Sequence, residues 1–142
     1  MRCRNSTARA LGLGVKHANR PLLDTRFLVE FEDELASERP GPTAVLIAAR
    51  RKMPVAISII TLEEFAEGFL DPVALNEFLM PFRVVQLSRM IAWRTALLQT
   101  SLPRRLGEND AWIAGTALAY EATLVGRERA FARVPRLNYL TF

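Results

Sequence analysis

Apolar and polar positions change period repeatedly along this chain, and each change predicts an element. "PLLDT" (Pro21 to Thr25) is a short apolar run ending in an acid, and reads as a buried strand. In "RFLVEFEDELASE", Phe27, Leu28, Phe31 and Leu35 recur at helical spacing until "RPGP" (Arg39 to Pro42) stops the pattern. "TAVLIAARRK" predicts a second helix, closed by Pro54. "VAISII" (Val55 to Ile60) is rich in β-branched residues and predicts strand two. Thr61 is a plausible N-cap for "LEEFAEGF", with Glu64 three positions on completing a capping box. "PVALNEFLM" predicts a short helix, "RVVQL" (Arg83 to Leu87) strand three, and Ser88 to Thr100 a long helix ahead of the polar loop "PRRLGEND". "GENDAWIAGTALAYEATLVG" then supplies an apolar helix and strand four, "ATLVG", and "LNYLTF" a fifth strand. Strands alternating with helices imply a mostly parallel sheet of four to five strands, with helices on both faces.

Composition narrows the setting. The 142 residues suit one domain with a proper core. No apolar run approaches the roughly 20 residues a membrane-spanning helix needs; "AVLIAA" (Ala44 to Ala49) is typical. Cys3 is alone, so no internal disulfide forms and a reducing compartment, the cytoplasm, is expected. With His17 the only histidine, a zinc site of Cys and His is excluded, and any metal must be held by oxygen. The net charge of +4, carried almost wholly by arginine, favours a polyanionic partner such as nucleic acid, although genome bias produces the same composition. Residues 1–20 hold five basic residues and no acid, and are expected to form an arm outside the core, either disordered, transit-like or the product of an early start codon. The domain itself is expected over 21–142.

The chemistry lies in the acids. Asp24 ends strand one, Glu64 lies in the first turn after strand two, Asp110 begins the helix before strand four, and Glu128 follows that strand. Ligands of an open parallel sheet bind beyond the strands' carboxyl ends, where this topology sends all four. Each also has a plainer reading. Asp110 could cap its helix, Glu64 could serve only the capping box, and Glu128 could pair with a neighbouring arginine. "EFEDE" (Glu30 to Glu34), Glu63 and Glu67 read as solvated helix face. Asp24 resists such a reading, because it follows two leucines where an unpaired buried charge is costly. Crowded carboxylates raise one another's pKa, and a hard divalent cation relieves them.

Three blocks resemble the PIN-domain ribonucleases, specifically the VapC type found as the toxin of bacterial toxin–antitoxin pairs. "LLDT" resembles the opening "LLDTN" motif, and "ISIITLEEFAEG" is similar to the block "iSxiTxaEl..G". "LGENDAWIAGTALAYEATLVGRERAFARVPRLNYL" resembles the ending "ig.nDa.IAAtAl..g.tLvTrdr.F.ripgL". The resemblance implies a PIN-like three-layer α/β/α sandwich and catalytic, metal-holding roles for Asp24, Glu64, Asp110 and Glu128. It implies Mg²⁺, with Mn²⁺ as an alternative, in-line hydrolysis of structured RNA such as tRNA, and 3′-hydroxyl and 5′-phosphate products. It also implies a homodimer and a cognate antitoxin that covers the acidic cleft. Arg26, Arg104, Arg105, Arg127 and Arg129 flank the motifs as candidate RNA contacts, or as solvated loop charge. Trp93 and Trp112 read as core or dimer packing ahead of base stacking.

Three positions depart from the pattern. Arg26 stands where the family has Asn, Gly126 where it has Thr or Ser, and Glu128 where Asp is commoner. They motivate an alternative, a catalytically weakened PIN domain that binds RNA or protein. A small-molecule phosphohydrolase ranks behind both, since no nucleophile motif is present.

Overall fold

The computed structural model describes residues 20–50 and 52–142. The arm expected over 1–20, with Cys3 and His17, lies outside the described residues except for Arg20. The elements in chain order are β1 (Pro21–Leu23), α1 (Thr25–Ser37), α2 (Pro42–Ala49), β2 (Ala56–Ser58), α3 (Ile59–Ala66), α4 (Pro72–Leu79) and β3 (Arg83–Val85). There follow α5 (Arg89–Ser101), α6 (Glu108–Tyr120), β4 (Thr123–Gly126), a 3-10 turn (Arg129–Arg133) and β5 (Asn138–Thr141).

The five strands form one parallel sheet in the order β3-β2-β1-β4-β5. Side chains alternate across a strand, so neighbouring residues enter opposite layers. Leu22, Ala56 and Leu124 pack with Leu98, Ala114 and Ala117, from α5 and α6. Their chain neighbours Leu23, Ile57 and Val125 pack with Phe27, Leu28, Leu46, Phe65 and Leu79, from α1 to α4. The result is the expected α/β/α sandwich, with all strands parallel.

Helix α6 can be apolar along much of its length because Ala111 and Ile113 to Ala117 are buried. Close approach to α5 depends on Gly115, where a Cβ would stand 3.0 Å from Thr95 Cβ and 3.1 Å from its Cα. Chain order runs one way from β1 to β3 and the other way from β4 to β5. The reversal between β1 and β4 is a topological switch point, which leaves a crevice beyond their carboxyl ends.

Two local expectations are corrected. Strand two ends at Ser58, not Ile60, and α3 begins at Ile59, so the N-cap is Ser58, whose Oγ accepts from Thr61 N–H at 3.0 Å. Thr61 is therefore not the cap, and Glu64 lies too far along the helix for a capping box. Glu34 is not solvated surface. Its carboxylate accepts from the N–H groups of Gly41 (2.8 Å), Thr43 (3.1 Å) and Ala44 (2.9 Å), capping α2, which lacks a capping side chain at Gly41.

Candidate active site

Asp24 is set in place by both elements it joins. Its N–H donates to the Val125 carbonyl at 3.0 Å, adding a rung between β1 and β4. Its Oδ1 accepts from Phe27 N–H at 2.8 Å, which makes it the N-cap of α1. Only 5% of the residue is exposed. Glu64 comes from α3, and its two oxygens are held separately. The Thr25 hydroxyl donates to Oε1, and Asn109 Nδ2 donates to Oε2 at 2.8 Å. Asp110 lies in the first turn of α6, where no side chain makes a capping hydrogen bond. The capping reading of Asp110 is thereby set aside. Glu128 follows β4, and its carbonyl accepts from the Tyr139 hydroxyl at 2.9 Å.

All four acids line one cleft of about 240 Å³ at the switch point, with Arg26, Arg127 and the apolar Ile113 and Phe131. Burial pushes the Asp24 carboxyl up to about 6, and the charges of Asp110 and Glu128 add to the rise. Main-chain N–H groups of Phe27 and Arg127 work against it. Burial also raises Asp110, with Glu128 and Glu64 contributing. Tyr139 is pushed up to about 12 by burial and then by Asp24 and Glu128, so its hydroxyl stays protonated. The electrostatics are those of a site short of positive charge.

Arginine supplies a rim. Glu30 receives Arg127 through both oxygens, at 2.7 and 3.1 Å, and Arg26 Nε at 3.0 Å. Partial burial alone would raise the Glu30 carboxyl, but hydrogen bonds from Arg127 and Arg26 outweigh it and hold it below its ordinary value. The Arg127 guanidinium lies 4.2 Å from the centre of the Phe142 ring, which fixes it further. Arg104, Arg105 and Arg129 do not line the cleft. The carbonyls of Arg104 and Arg105 accept from Arg133 instead.

The donor set fits a hard cation, since every acid offers oxygen and, among the described residues, no softer ligand lines the cleft. Among the described residues, however, no group of three acidic, Cys or His side chains already has the arrangement of a metal site. Sequence reasoning missed Thr25, Asn109, Glu30 and Tyr139 as supporting residues. Thr25 and Asn109 sit inside motifs already singled out, next to Asp24 and Asp110. Glu30 and Tyr139 give no local signal. Trp93, expected in a core or dimer contact, is 63% exposed, and Trp112 is half-buried.

A family model of the PIN domain matches residues 22–137. The VapBC2 structure from Rickettsia felis, bound to a DNA fragment from their promoter, is 25% identical with a TM-score of 0.70, over 86% of this chain and 98% of that one. A toxin–antitoxin complex from Klebsiella pneumoniae is 28% identical with a TM-score of 0.62, over 82% and 94%. DNA-bound VapBC from Salmonella typhimurium, at 22% identity, shares the fold with a TM-score of 0.72, over 87% and 98%. A search of curated proteins finds no match.

Proposed function

The chain belongs to the PIN-domain family, and from that premise we propose that it is a nuclease of the VapC toxin type, a Mg²⁺-dependent endoribonuclease acting on structured RNA such as tRNA. The observation that carries the reading is the meeting of Asp24, Glu64, Asp110 and Glu128, from four separate segments, in one cleft. Burying acids together raises their pKa and costs stability unless charge compensates. Asp24, Glu64 and Asp110 would hold the cation, with Glu128 beside them; Mn²⁺ would serve as well. When bound, such an ion supplies Lewis-acid polarisation of the phosphodiester.

The protein's own residues do the positioning. Thr25 and Asn109 fix the two oxygens of Glu64, and the β1–β4 ladder fixes the main chain of Asp24. Arg26 and Arg127, tethered by Glu30, would grip backbone phosphates at the rim, contacts that weaken with salt. Arg104, Arg105 and Arg129, farther out, would extend that track. A cognate antitoxin is the proposed protein partner, supported by the toxin–antitoxin complexes among the structural neighbours. A homodimer is supported by the exposed stripe Met90, Trp93 and Leu97 on α5. The proposed setting is the cytoplasm; no helix among the described residues is long and apolar enough to cross a membrane.

A second reading, an RNA- or protein-binding PIN domain with weakened catalysis, is favoured by the lack of a ready three-ligand group among the described residues. One experiment separates them. Purified protein is incubated with total RNA and Mg²⁺ or Mn²⁺, beside Asp24→Asn and Asp110→Asn. Discrete cleavage lost in both variants supports the nuclease. Equal RNA binding without cleavage by any of the three supports the binding module.

A further inference from the structure

We propose that Gly126 sets the position of the first acid: its missing side chain lets the Asp24 carboxylate recede against β4, and this withdraws it from the cation site. The inference rests on reading the cleft as a divalent-cation site.

Two independent observations carry it. A Cβ on residue 126 would stand 2.6 Å from Asp24 Cγ and closer still to Oδ2, so no larger residue coexists with this carboxylate where it lies. Contacts below 3.0 Å are essentially never made by real Cβ atoms, and the obstacle here is a short side chain anchored by a main-chain hydrogen bond. Separately, the four acids share one cleft, yet no three of them among the described residues are arranged to hold a metal. A recessed Asp24 accounts for that.

Receded, the carboxylate is satisfied by main-chain N–H groups of Phe27 and Arg127, which compete with a cation for its lone pairs. Asp24 is buried on every side except the cleft it lines. A methyl group at 126 therefore leaves Oδ2 one place to go, into the cleft. Residue 126 becomes a control on cation affinity, although it contributes no ligand. If the family's Thr or Ser at this position mattered only for its hydroxyl, Gly126→Ala would leave cation affinity unchanged.

The test uses Gly126→Ala, Asp24→Ala and the double variant. Mn²⁺ titration followed by calorimetry should show Gly126→Ala binding about tenfold more tightly than wild type, the affinity equivalent of one hydrogen bond to a charged group. Unchanged or weaker Mn²⁺ binding by a folded Gly126→Ala overturns the proposal. Thermal melts without metal give a second readout. Gly126→Ala should lower Tm in the wild-type background and leave it nearly unchanged in Asp24→Ala, where there is no carboxylate to displace. An equal loss in both backgrounds overturns the proposal. Should Gly126→Ala fail to fold alone, the double variant decides: recovery of folding supports the clash, and continued failure refutes it. Wild type that takes up no Mn²⁺ would instead defeat the cation-site reading, a result the melts distinguish from failure of the Asp24–Gly126 contact.

Discussion

Replacing Asp24 with Asn should stabilise the metal-free protein at neutral pH, which is unusual for a residue at the centre of a site. Burial raises the Asp24 carboxyl from 3.8 to about 6. Between those values the native state binds a proton that the unfolded chain has released, so stability falls as pH rises through this window. Below about 3.8 the penalty is absent, and above about 6 it is complete. A shift of about two pK units at 1.36 kcal/mol each gives about 3 kcal/mol, an upper figure. Asn keeps an oxygen to accept from Phe27 N–H and is as good an N-cap, so Asp24→Asn removes the charge and retains the cap. Urea melts in EDTA at pH 4 and pH 7 measure the effect. Relative to Asp24→Asn, wild type should lose up to about 3 kcal/mol between the two pH values, roughly 6–12 °C in Tm. Titrations elsewhere largely cancel in the comparison. Saturating Mn²⁺ should then narrow the gap for wild type alone, by mass action on the native state. A gap that is the same at both pH values, or a variant less stable than wild type at pH 7, would refute the electrostatic account.

Two further outcomes can be checked with simpler measurements. Arg127→Ala removes one of the two rim cations proposed to grip phosphate and leaves Glu30 without its bidentate partner, so it should weaken RNA binding uniformly across sequences and reduce the slope of log affinity against log salt by about one. Glu34→Ala leaves three N–H groups at the start of α2 without their acceptor and should cost about 1–2 kcal/mol in a denaturant melt, with no effect on RNA cleavage.

The architecture was readable because period is local. Leu22–Leu23, Ala56–Ile57 and Leu124–Val125 are adjacent apolar pairs that a two-faced parallel sheet requires, and each pair does feed both layers. Boundaries were less readable where two residues could play the same part. Ser58 and Thr61 are both good caps, and Ile59 and Ile60 suit a strand or a helix. The choice is made by β3, whose pairing with β2 runs from Arg83 to Val85 and ends at Ser58. Glu34 escaped notice because its partners lie seven to ten positions on, across a turn and outside any helical repeat. Asn109 escaped it because its partner is 45 positions away, on another helix. Gly126 was visible as a departure from pattern, but its meaning depends on Asp24, which reaches it only through the pairing of β1 with β4.

That pairing also explains why so apolar a helix as α6 opens with Glu108, Asn109 and Asp110. From Ala111 onward the helix is mostly buried in the layer beneath the sheet's switch point, so its first turn emerges at the cleft. The three polar residues then divide by direction. Glu108 stays exposed, Asn109 ties α6 to α3 through Glu64, and Asp110 faces the other acids. A helix N-terminus favours negative charge by about 0.3–1 kcal/mol, which lessens the crowding without cancelling it. Asp110 remains raised above its ordinary value despite that help. The positive charge the cleft lacks is not made good by Arg26 and Arg127, because Glu30 already engages both. The fold thus gathers four carboxylates in one cleft without free cationic side chains among the described residues to match them, which is the charge the proposed divalent cation would supply.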